Sequence, residues 1–66
     1  MEEIEKLKTL LQHWVRHNES HFEEYKKWAE TASSMGLQNV SGGILKAMEL
    51  IKQANDEFHK ALKSIS

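Results

Sequence analysis

No proline interrupts the 66-residue chain, and its three glycines are Gly36, Gly42 and Gly43. Proline and glycine are the strongest local breakers of regular backbone, so a chain that confines them to one short interval is divided only there. Two long segments flank the interval, and both carry side chains in alternating steps of three and four. The first seam is Ile4, Leu7, Leu11, Trp14, Asn18, His21, Tyr25, Trp28, Ala32 and Met35; the second is Ile44, Met48, Ile51, Asn55, Phe58, Leu62 and Ile65. That is the heptad period of packed helices. The chain is expected to be all-α: one domain, 1–66, folded as an antiparallel two-helix hairpin over about 2–35 and 39–65.

Local signals agree with this division. Gly36 follows Met35 where a left-handed residue would close the first helix, with Leu37 as the accompanying apolar contact. Asn39 or Ser41 can cap the second helix. Gly42 and Gly43 weaken its first turn by about 1 kcal/mol each relative to alanine, and imply flexibility or close helix approach near the hairpin end. A phosphate-binding loop is not read there, since no strand precedes the pair and no Lys-Ser/Thr follows it. Leu10, Val15, Phe22 and Ala29 widen the first apolar stripe, while Ala47, Ala54 and Ala61 recur every seven residues along the second and admit another helix. Trp14 and Trp28 lie on the seam and are expected in the core, with Met35 and Met48 filling gaps near the turn. Glu2 with Lys6 and Glu23 with Lys27 make i,i+4 pairs on solvated faces.

Reversing the chain near residues 37 and 38 pairs positions whose numbers sum to about 75, from the helix rise. Trp28 then falls near Met48, Trp14 near Leu62 and Tyr25 near Ile51. Asn18 and His21 fall level with Asn55 and Phe58, and His17 level with His59, so the polar interruptions of both seams share one layer. Residues 1 to about 10 run past the second helix, leaving Ile4, Leu7 and Leu10 without a partner. A chain this short seldom supplies enough core alone, and without cysteine it has no disulfide or thiolate site to help. A homo-oligomer is expected, most simply a dimeric four-helix bundle.

The polar layer carries the functional reading. Histidines four apart share a helix face, so His13 with His17, or His17 with His21, can hold one ion, with His59 as a ligand from the opposite helix. Glu24, one turn after His21, is the favoured carboxylate, and Asp56 points further from the seam. Asn18 and Asn55 would orient the imidazoles, and His13 is peripheral and solvent-facing. Such donors suit Zn, Ni or another divalent transition metal. The alternative is a purely structural or protein-interaction module, in which the same His/Asn layer sets helix register and oligomer state with no metal.

Other classes find no support. Di-iron bundles need paired Glu-x-x-His motifs, and only Asp56-Glu57-Phe58-His59 approaches that form. Ser20 and His21 are adjacent and cannot face each other as nucleophile and base, so no enzyme is expected. Nine basic residues interleave with ten acidic ones for a net charge of -1, which offers nucleic acid no footprint. No apolar run approaches the ~20 residues of a membrane span, and MEEIEKLK carries acids in place of a basic leader. Residence in the cytoplasm is the expectation.

The run LLQHWVRHNESH, then EYKKWAE, the Gly-Leu turn and a second helix rich in Ala and Leu, resembles short uncharacterised prokaryotic helical-hairpin proteins with a W-x-x-H-N-x-x-H helix. Trp14, His17, Asn18 and His21 carry the resemblance, which covers nearly the whole chain. It implies the hairpin and the choice of histidines, and attaches no activity to them.

Overall fold

The computed structural model describes residues 2–65. One arm of a bent hairpin is formed by α1 (Glu2–Ser20) and α2 (Phe22–Ser34), and the other by α3 (Gln38–Ile65). The Cα envelope measures 53 × 15 × 11 Å. Since 28 helical residues span about 42 Å, the first arm overshoots the second, as the apolar residues near its start imply. Among the described residues, no helix is long and apolar enough to cross a membrane.

The single helix expected over 2–35 is broken at His21. Ser20 Oγ donates there to His17 O at 2.6 Å, the carbonyl that an α-helix would also offer to the His21 amide. That amide turns instead to Asn18 O at 3.4 Å. Serine hydroxyls compete with the backbone in this way and bend helices. His21 keeps φ −94° and ψ −10°, and Tyr25 N donates to His21 O at 2.9 Å, so the helix restarts at once.

The turn follows its sequence signal. Gly36 adopts φ 79°, its amide donates to Ser33 O at 3.0 Å and that of Leu37 to Ala32 O at 2.9 Å. These are the paired bonds of a Schellman close, which needs a residue without Cβ strain at Gly36. Gln38 Nε2 adds a bond to Ser33 O at 3.1 Å. Neither Asn39 nor Ser41 caps α3, because the helix already begins at Gln38. Ser41 is buried within it, and its hydroxyl donates across the hairpin to Ala29 O at 2.8 Å.

The seam of the first arm lies one column away from the expected one. Leu11, Val15, Ala29 and Ala32 are buried, and Lys8, Asn18, Phe22 and Tyr25 are partly so. The three-four alternation is kept, but 8, 15, 22 and 29 replace 7, 14, 21 and 28. The break at His21 does not shift the phase. Trp14 and Trp28 are therefore not core residues: they are 40% and 54% exposed, and Met35 is 68% exposed. The seam of α3 is as expected, with Ser41 added at its start: Ser41 and Asn55 are buried, and Ile44, Met48, Ile51, Phe58, Leu62 and Ile65 are half-buried.

Two further local expectations need correction. A Cβ added at Gly42 or Gly43 would meet nothing within 4 Å, so the pair marks no close helix approach in this chain. Gly42→Ala and Gly43→Ala are each expected to stabilise the fold by about 0.5–1 kcal/mol, through helix propensity and a less flexible unfolded chain. Thermal melts followed by circular dichroism check this, and a lowered Tm in either variant would contradict it. Lys6 does approach Glu2, at 4.0 Å, whereas Lys27 lies 6.0 Å over the Trp28 ring instead of pairing with Glu23.

Candidate functional site

Asn18 on α1 and Asn55 on α3 meet across the hairpin. Asn18 Nδ2 donates to Asn55 Oδ1 at 2.8 Å, and Asn55 Nδ2 donates to Val15 O at 3.3 Å. Asn55 is only 5% exposed. The pair falls where the two seams were expected to be interrupted, and 18 and 55 sum to 73 against the expected 75. Among the described residues, no buried side-chain nitrogen or oxygen lacks a hydrogen-bond partner. Buried amides are costly unless paired, and here they are paired by each other and by backbone.

The histidines stand outside this layer. Four rings climb the first arm in steps of four: His13 and His17 have centroids 6.1 Å apart, His17 and His21 4.9 Å apart and nearly perpendicular at 85°, and His21 and Tyr25 5.7 Å apart. His13 and His17 are exposed and His21 is half-buried. Tyr25 was read from sequence only as a seam residue, and its place in the ring ladder was legible in the i,i+4 spacing.

His59 does not join them. It lines one surface groove with Glu19, Phe22 and Asp56, and an adjacent one with Gln12, Val15 and Arg16, neither of which His17 or His21 lines. Glu24 is exposed. Among the described residues, no three His, Cys, Asp or Glu side chains gather into a group that could hold a metal ion. The structure thus joins Asn18 to Asn55 and His17 to His21, and places His59 in a groove that Asn55 also lines and that His17 and His21 do not.

Beside the ring ladder runs an apolar column spaced by sevens: Leu7, Trp14, His21, Trp28 and Met35. All but His21 are 40% exposed or more. Trp14 touches the second arm through Phe58, at a centroid distance of 5.7 Å. Ala54 and Ala61, four before and three after Phe58, share its helix face and are exposed. The column and the alanines form one side of the rod.

Residues 7–65, which hold all of these features, match the family described as Domain of unknown function (DUF8180). The chain belongs to that family. In this DUF8180 chain the matched span opens at Leu7, the first residue of the apolar column, and includes Asn18, Asn55 and all four histidines. No curated protein and no solved structure matches the chain.

Proposed function

We propose that the chain is a non-enzymatic self-association module: hairpins pair through the tryptophan-bearing side, and the Asn18–Asn55 layer sets the register in which the two arms present it. The observation that carries this reading is the distribution of apolar side chains. The buried ones are Leu11, Val15, Ala29 and Ala32, two of them alanines, while Trp14, Trp28, Met35 and seven other large apolar side chains are exposed. Of these, Leu7, Trp14, Trp28 and Met35 recur in one heptad column of the first arm, and a row of exposed large apolar side chains is the kind of patch that marks an interaction surface. The accessible area agrees. A compact monomer of 7.7 kDa is expected to expose roughly 4,300 Å², and this chain exposes 5167 Å². The excess, about 800–900 Å², reflects an elongated hairpin, 53 × 15 × 11 Å, with little core of its own.

Sedimentation equilibrium across the micromolar range tests the proposal. A dimer or small closed oligomer is expected. A chain that is fully helical by circular dichroism yet monomeric throughout that range would overturn it.

One observation favours a second reading, divalent-metal binding. Two imidazoles on a single tetrahedral ion, with Zn–N near 2.0–2.1 Å, hold their ring centroids roughly 5 Å apart, and His17 and His21 stand 4.9 Å apart. Neither ring makes a hydrogen bond among the described residues. The ligands are then His17 and His21, without His59 or Glu24 of the same chain. Calorimetric titration with zinc chloride is expected to show saturable micromolar binding that His17→Ala weakens at least about tenfold, or 1.4 kcal/mol. Absence of saturable heat in the wild type would remove the reading.

A further inference from the structure

We infer that the partner is a second copy of this chain, docked antiparallel on the α1–α2 arm about a two-fold axis that passes through His21. This rests on the self-association proposed above and adds its face, direction and register. A two-fold interface is self-complementary: if residue i meets residue j, then j meets i. The exposed column has that property in its sequence. Read from either end, Leu7, Trp14, His21, Trp28 and Met35 run flexible apolar, tryptophan, histidine, tryptophan, flexible apolar. Antiparallel pairing centred on His21 places Trp14 against Trp28 of the second copy, Leu7 against its Met35, and His21 against itself.

Three more observations fit this register. The column survives the helix break because the heptad phase is the same in α1 and α2. Ile4, on the overhanging start of the arm, comes level with the exposed Leu37 at the turn of the second copy, so the overhang of each hairpin covers the turn end of the other. Ala54 and Ala61 flank Phe58 beside Trp14 with only methyl groups, which leaves room for an incoming indole. With a formal charge of -1 per copy, pairing brings together little net charge. A head-to-tail contact, unless its rotation closed a ring, would leave the same column open at each end of a growing fibre.

The absence of cysteine makes the test direct. A residue on the two-fold axis is the one position that meets its own copy at disulfide distance, Cβ to Cβ about 3.5–4.5 Å. His21→Cys is expected to oxidise to a covalent dimer in high yield, while Lys52→Cys on α3 remains uncrosslinked. Mixed Leu7→Cys and Met35→Cys chains are expected to crosslink with each other and not when either is oxidised alone. This mixture leaves both tryptophans and His21 intact, and it decides the matter if His21→Cys itself fails to assemble. A reduced His21→Cys chain that sediments as a dimer yet does not crosslink would overturn the register while self-association stands. A monomeric wild type would overturn both.

Discussion

Replacing Trp28 with glutamate is expected to weaken self-association at least about a hundredfold, roughly 2.7 kcal/mol, while the isolated hairpin stays helical. Within one chain Trp28 is 54% exposed, and Lys27 lies over its ring as its aromatic or ionic neighbour, so little of the hairpin fold depends on it. In the proposed dimer it meets Trp14 of the second copy, and a carboxylate there would be desolvated against an indole. Two measurements separate these levels. The Tm of the wild type should rise with protein concentration, as it does for any fold stabilised by association. The Tm of Trp28→Glu should be lower and independent of concentration. An equal drop at all concentrations, with the dimer retained, would mean that Trp28 supports the hairpin itself. Trp14 is a less clean probe, because it also packs on Phe58 in the same chain.

Asn55→Ala is expected to destabilise the hairpin by about 2 kcal/mol, more than Asn18→Ala. Asn55 is the more buried of the two and spends its amide on two partners, accepting from Asn18 and donating to the Val15 carbonyl. Its truncation leaves the Asn18 amide facing an apolar seam. Asn18 is only partly buried, so in the converse variant water can reach some of what is lost. A double-mutant cycle should give a coupling of about 1 kcal/mol between them. Replacing both by leucine should act in the opposite direction, raising stability by about 1–4 kcal/mol while permitting more than one register or oligomer size. Urea unfolding with sedimentation of each variant checks both effects. An Asn55→Ala chain as stable as the wild type would show that the layer sets nothing.

Much of this architecture was legible in the heptad steps. The three-four alternation of α3, the Gly36 close and the meeting of Asn18 with Asn55 follow from spacing, because a short turn between two periodic helices leaves little freedom in level. The column that faces inward was not legible. Leu7, Trp14, His21, Trp28 and Met35 on one side, and Val15, Phe22 and Ala29 on the other, flank the shared positions Leu11, Asn18, Tyr25 and Ala32 equally well. Periodicity ranks neither above the other, and hydrophobicity favours the tryptophans. The Gly36-Leu37 turn decides against them, since it holds the arms so close that Ser41 Oγ reaches Ala29 O at 2.8 Å. Alanines fit there and an indole does not. The choice of column also decided the histidine layer: His17 and His21 moved to the edge of the seam, and His59 to grooves that they do not share.

By itself, then, the amino-acid sequence determined the helical hairpin, its turn and its level, since backbone propensity, breaker placement and the 3.5-residue period are properties of the chain alone. Tertiary structure decided which apolar column was buried in the hairpin and which was left exposed. That choice depends on the distance between the two arms, and no single helix carries it in its own periodicity.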